Sequence, residues 1–170
     1  MTDAAVDSGR IGGFDGAHLA RLIALLLPVA LLGGALGSQY LGGLTPCEMC
    51  YWQRYPHAAA ILLAGLAFTA PATSSRSRAL VHLAALAIAV SGAIGVYHAG
   101  VELDIFEGLT TCTTTARGTG ADLLKEIMNA PLVRCDQVQF SFLGISMAGW
   151  NAILSLAGAL AIVLLARKAR

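Results

Sequence analysis

Four stretches of this chain run without a single Asp, Glu, Lys or Arg: Leu22–Leu44, Tyr55–Ala72, Ala79–Val101 and Phe142–Ala166. A bilayer-crossing helix needs about 20 mostly apolar residues, and each stretch meets or nearly meets that length. Charged residues make up only 12% of the chain and hydrophobic ones 56%, too little charge for an ordinary soluble domain of 170 residues. The net charge of +1, with no basic run ahead of the C-terminal tail, leaves no electrostatic footprint for nucleic acid. The expected architecture is an all-α integral membrane protein, a single domain over 1–170. Its four-transmembrane-helix bundle has spans at about 19–38, 51–72, 79–101 and 142–166. A polar segment over 1–16 precedes the bundle, and there is no internal repeat.

Ala35-Leu36-Gly37 mimics a signal-peptide cleavage site, but the uncharged stretch continues past it to Leu44. The leader also carries three Asp against one Arg, so an uncleaved span is expected. Lys and Arg set the orientation. With four spans, one side holds Arg10, Arg21, Arg76, Arg78, Arg167, Lys168 and Arg170. The other holds Arg54, Arg117, Lys125 and Arg134. The richer side, with both termini, is expected in the cytoplasm, and the loops over about 39–50 and 102–141 face outward. Gly33 and Gly37 form a small-xxx-small pair, and Gly92 and Gly95 lie among many Ala, so close helix packing is expected at both.

All four cysteines fall on the outward side: Cys47 and Cys50 in the first loop, Cys112 and Cys135 in the second. Outside a bacterial inner membrane, disulfides persist. Cys47-Glu48-Met49-Cys50 is a C-x-x-C, which alone fits a redox pair, half a zinc site or chance. Tyr51 stands where a c-type haem site needs His. The long separation of Cys112 from Cys135 disfavours a closed zinc site, and no metal is expected. Thr45-Pro46-Cys47-Glu48 reads as a helix start with Thr45 as N-cap, placing both thiols where backbone N–H groups favour a thiolate. Arg54 lies on the same stripe and would lower a thiol pKa on approach; its bland alternative is snorkelling to headgroups. His57, three residues on, reads as an interfacial polar residue, and His82 and His98 have no Cys within helical reach. Thr119 begins a short amphipathic pattern over 119–128 that could lie on the membrane or dock a partner.

Two dithiols in separate loops suggest a relay by thiol–disulfide exchange, and a repeating relay needs a terminal electron acceptor. The chain has no dinucleotide fingerprint, haem-attachment motif or iron–sulfur spacing, so a lipid-soluble quinone fits what remains.

Cys47-Glu48-Met49-Cys50-Tyr51-Trp52-Gln53-Arg54 opening a second span resembles the DsbB family, the quinone-dependent disulfide-bond formation protein B of bacterial inner membranes. So do the second pair between spans three and four and the stretch Phe142-Leu143-Gly144-Ile145-Ser146-Met147-Ala148-Gly149-Trp150. The resemblance implies that Cys112 is attacked by a reduced DsbA-like, thioredoxin-fold periplasmic partner. Cys112 and Cys135 accept its electrons, and Cys135 passes them to Cys47 through an interloop disulfide. Cys50 is then freed as a thiolate in charge-transfer contact with ubiquinone or menaquinone. Arg54 supports quinone binding, Met147 matches a position near the quinone ring, and His98 matches a histidine near the quinone. Gln53 stands where some members carry an acid, and the acidic run from Glu102 to Glu107 is unexpected beside a quinone pocket. Competing readings are an oxidoreductase of the vitamin K epoxide reductase type, a relative dedicated to one partner, and a non-enzymatic protein with two structural disulfides. The first of these places its C-x-x-C later in the bundle.

Overall fold

The computed structural model describes residues 10–11, 14–108 and 133–168. Cys112, the pattern over 119–128 and most of the polar leader lie outside the described residues. Two short strands, β1 (Arg10–Ile11) and β2 (Phe14–Asp15), pair antiparallel ahead of the first helix. Among the described residues four helices follow: α1 (Gly16–Tyr40), α2 (Glu48–Ala67), α3 (Ser75–Glu102) and α4 (Met147–Lys168). Between α3 and α4 lie β3 (Ser141–Phe142) and β4 (Ile145–Ser146), also antiparallel. The helices pack together as a bundle, α3 against both α2 and α4, and α1 against α2 and α4.

Helices α1, α3 and α4 are long and apolar enough to cross a membrane. This is a multi-pass membrane protein. Helix α2 is shorter and carries Glu48, Gln53, Arg54 and His57 in its first half. It stops at Ala67 although the uncharged stretch continues to Ala72. Pro71 has no N–H for another helical turn and biases Ala70 away from helical backbone, so Phe68 and Thr69 close the end with tighter bonds to Gly65 and Leu66. Helix α3 starts before its apolar stretch because Ser74 caps it, accepting the Ser77 N–H at 3.1 Å.

The fourth apolar stretch opens as a hairpin rather than a helix. Leu143 and Gly144 both take positive φ, 53° and 78°, as a two-residue turn between right-twisted strands demands. Ser146 then caps α4 through the Gly149 N–H, and the Trp150 indole donates to the Phe142 carbonyl at 2.9 Å, pinning hairpin to helix. Arg167 and Lys168 in the last turn complement the helix dipole.

The interior is built from small residues. Ala20, Ala24, Ala60, Ala64, Ala84, Ala85 and Ala159 are buried around Ile88 and Ile162. Leu26, Leu62, Leu86 and Leu160 face outward. Water would reverse this order; lipid gives large apolar side chains no reason to turn inward, while small ones let backbones approach. Gly95 shows the closeness: a Cβ there would stand 3.0 Å from the Ala148 carbonyl oxygen and 3.1 Å from the Ala152 nitrogen. Gly92 meets Leu156 and Ser155 in the same way. Gly33 and Gly37 have open space instead, so the expectation of a tight packing pair on α1 is corrected: that face meets no helix within the described residues. Gly95→Val is expected to push α3 off α4 and cost about 2 kcal/mol, while Gly33→Val is expected to stay within about 0.5 kcal/mol. Thermal unfolding of the two variants in detergent checks the contrast.

Candidate functional site

Pro46 fixes the chain in extended form ahead of α2, and the next residue, Cys47, becomes the cap. Its φ and ψ are −75° and 173°, and its sulfur accepts the Cys50 backbone N–H at 3.4 Å. The expected cap at Thr45 is therefore moved on by two residues, because the Cys47 sulfur reaches the free N–H of the first turn. This places the Cys47 and Cys50 sulfurs 3.0 Å apart. Cys47 is buried and Cys50 half-buried.

Cys50 precedes the apolar stretch of α2. The hydrogen bond from the Cys47 thiol lowers its pKa to about 7 from the ordinary thiol value, outweighing burial, which pushes it up. The Arg54 guanidinium lowers it further. The same bond, with burial, pushes the Cys47 thiol well up, so Cys47 keeps the proton and Cys50 loses it. A lowered pKa moves the thiolate to lower pH. Alkylation of Cys50 by iodoacetamide in the reduced protein is therefore expected to reach half its plateau rate near pH 7, about 1.5 units below a free cysteine. A midpoint at the free-cysteine value contradicts it.

Arg54 does not reach out to headgroups. Its guanidinium donates to the Gln39 side-chain oxygen at 2.6 Å and to the Ala35 carbonyl at 3.1 Å, both on α1, and sits over the Tyr51 ring at 5.1 Å. Its Nε has no partner. His57 is not interfacial either. It is buried, with Nε2 at 2.9 Å from both Asn151 Oδ1 and Ser91 Oγ.

His98, out of helical reach of any cysteine in the chain, is brought to one by the fold. Its Nε2 lies 3.6 Å from Cys47 Sγ. Cys135 arrives from the segment ahead of β3, and its sulfur, Cys47 Sγ and a His98 ring nitrogen all lie within 4.8 Å of one another. Met49, Val101 and Val133 bury this group.

A cavity of about 590 Å³ opens beside the pair. All four helices contribute to its walls, with apolar residues of α1 and α4 among them, and Cys47, Cys50, Arg54, His98 and Met147 all line it. Glu102, from the acidic run after α3, also reaches this wall, 3.8 Å from His98 Nε2. Of the seven residues to which the resemblance gives a role, five share the cavity. Cys135 stands behind Cys47, and Cys112 is outside the described residues.

The sequence reading missed a polar network behind the pair. Gln53 Nε2 contacts His98 Nδ1 at 2.8 Å, Gln53 Oε1 accepts from Asn151 at 2.8 Å, and Ser91 donates to the Gln53 carbonyl at 2.8 Å. One signal was available: Asn151 is the sole amide in the fourth apolar stretch, and a lone polar residue inside a span usually has a partner.

The family model for disulfide bond formation protein DsbB matches residues 17–165, the whole bundle with its cysteine segments. The chain belongs to the DsbB family. Relatives named disulfide bond formation protein B agree with this. That of Chromohalobacter salexigens is 30% identical over 146 residues, 78% of this chain and 80% of that protein. That of Polaromonas naphthalenivorans is 30% identical over 164 residues, 88% of this chain and 93% of the relative. That of Verminephrobacter eiseniae is 32% identical over 164 residues, 88% of both. No solved structure matches the chain. DsbB membership makes this a disulfide oxidoreductase that serves disulfide bond formation.

Proposed function

We propose that this DsbB-family protein oxidises the dithiol of a DsbA-like periplasmic partner and delivers the electrons to a membrane quinone, ubiquinone or menaquinone. The observation that carries the reading is the shared wall: a low-pKa cysteine, Cys50, and a guanidinium with an unpartnered N–H, Arg54, line one apolar cavity beside a second cysteine. The cavity suits a flat apolar ring, and the free Nε–H suits its carbonyl oxygen. Arg54, Met147 and His98 would hold such a molecule, which when bound accepts two electrons and two protons.

The partner's thiolate attacks Cys112, and exchange leaves the partner oxidised and the second pair reduced. The Cys135 thiolate then attacks Cys47 Sγ. The Cys47–Cys135 bond forms, the Cys47–Cys50 bond breaks, and the electron pair leaves on Cys50. Arg54 and the Cys47 contact favour that leaving thiolate. The approach of the Cys135 and Cys47 sulfurs supports the step. Helix α2 serves as the remaining span, for four in all, with both termini in the cytoplasm of a bacterial inner membrane and the cysteine loops in the periplasm. The excess of Arg and Lys at the opposite end of the bundle from the cysteines supports this orientation.

The test is quinone consumption by purified protein in detergent, with a reduced thioredoxin-fold oxidase as donor. Steady turnover supports the reading. Inert protein whose cysteines resist mild reductant returns it to structural disulfides. In the same assay Arg54→Ala is expected to raise the quinone KM about tenfold, the equivalent of about 1.4 kcal/mol, with little change in the KM for the protein donor. An unchanged quinone KM removes Arg54 from the site.

A further inference from the structure

One acid stands on the cavity wall with no part in the relay. Glu102 is the last residue of α3, and its side chain, only 8% exposed, lines the cavity with Cys50 and Arg54. Its Oε2 is buried and has no hydrogen-bond partner among the described residues. Its Oε1 is 3.8 Å from His98 Nε2, beyond a hydrogen bond. A buried imidazolium–carboxylate pair at that separation would not recover the cost of leaving water. A carboxylate there would also face the negative end of the α3 dipole. Burial pushes the Glu102 carboxyl up from its ordinary value, and a Ser146 hydrogen bond offsets only part of that.

The other titratable or charged groups around this wall are Cys47, Cys50, Arg54 and His57 from α2 and its cap, His98 from α3, and Cys135 from the segment ahead of β3. The lining residues of α1 and α4 carry none. An ionised Glu102 would push the Cys50 thiol up. By reciprocity a Cys50 thiolate holds the proton on Glu102 more tightly. Of the two sites, Cys50 is the better served for charge: it has the Cys47 thiol and the Arg54 guanidinium, whereas Glu102 Oε2 has no donor. The single negative charge therefore rests on Cys50, and Glu102 keeps the hydrogen.

We propose that Glu102 is the acid that protonates the reduced acceptor: its carboxyl holds a proton while Cys50 is a thiolate and gives it up as the Cys47–Cys50 disulfide forms. The inference rests on the quinone reading above. For the reduced pair the step balances. Two electrons leave the sulfurs as the Cys47–Cys50 bond forms, one proton comes from the Cys47 thiol and one from Glu102, and the products are the disulfide, a hydroquinone and the Glu102 carboxylate. With the Cys50 charge gone, nothing on α2 repels that carboxylate. Residues 103–107, which follow Glu102, are exposed, so the carboxylate takes its next proton from water on the side of the membrane where the cysteines lie.

The experiment uses the full-length protein in detergent, with ¹³C in glutamate to set its carboxyls apart from those of aspartate. Infrared spectra are taken across pH, first with the cysteines reduced by dithiothreitol and then oxidised by diamide. Just above the Cys50 midpoint, the reduced protein is expected to show a protonated glutamate carboxyl that Glu102→Gln lacks. Oxidation is expected to move the loss of that band to lower pH. No such band, or one that disappears at the same pH in both states, overturns the proposal. Gln offers a hydrogen bond but no proton. Reduced Glu102→Gln is therefore expected to reduce quinone about a hundredfold more slowly in a single turnover, while quinone binding, read by tryptophan quenching, stays close to wild type. An unchanged rate overturns the proposal, and so does a loss that comes with lost binding. Should Glu102→Gln not fold, the wild-type spectra decide alone. Wild-type protein that reduces no quinone yet shows the redox-linked carboxyl would sink the acceptor reading and leave Glu102 coupled to Cys50; turnover without that carboxyl overturns this inference alone.

Discussion

Cys50→Ser protein, supplied with reduced thioredoxin-fold donor and quinone, is expected to reduce quinone at no more than background, a loss of over about a hundredfold. The reason lies in the first turn of α2. Cys50 is the sulfur on the cavity wall with a depressed pKa, and Cys47 is the sulfur that Cys135 approaches. A serine hydroxyl neither forms the disulfide with Cys47 nor leaves as a thiolate when Cys47 is attacked. The variant should still fold, because the cap of α2 uses the Cys47 sulfur and the Cys50 backbone N–H, and neither is removed. Loss of quinone absorbance with time measures the rate. Turnover that survives the change would dismiss Cys50 as the residue facing the acceptor.

Cys112→Ser separates the two ends of the relay. Turnover with the protein donor is expected to fall to background, since the Cys112–Cys135 disulfide that the proposed relay offers the partner can no longer form. The Cys47–Cys50 pair, reduced by a small dithiol, should still be reoxidised by quinone at close to the wild-type rate, because its cavity and Arg54 are untouched. Thiol counting after a single cycle, with and without quinone, measures this. Normal turnover with the protein donor would break the relay at its first step. Together the two variants fix a direction: Cys50→Ser interrupts the acceptor side and Cys112→Ser the donor side.

The sequence was most legible where one physical rule dominates. Charge-free runs located the helices of the bundle because burial of charge in lipid is prohibitive. The spacing of Cys47, Cys50 and Arg54 placed three site residues on one helical stripe, and the cavity receives all three. Helix ends were less legible. Hydropathy does not see that Ser74 can carry α3 outward over Arg76 and Arg78, or that Leu143 and Gly144 can turn a hairpin within an apolar run. His98 was placed only through the resemblance, since its neighbour Cys47 is on another helix and no local pattern joins the two. The lone Asn151 in an apolar stretch signals that it has a partner, but that the partner is Gln53 depends on three helices meeting, which local pattern does not carry.

The cavity wall has a further consequence for how the molecule is made. Its residues come from every helix of the bundle, and Met147, Ala148, Trp150 and Asn151 close it from α4, the last to be made. Asn151 also completes the hydrogen bonds of Gln53 and His57. A ribosome therefore delivers the cysteine pair long before it completes the chamber beside it. Until α4 emerges and docks, the half-built protein has its first pair of thiols but no chamber in which an apolar acceptor can meet them. If the proposed acceptor site holds, redox competence belongs by geometry to the finished chain and not to the nascent one.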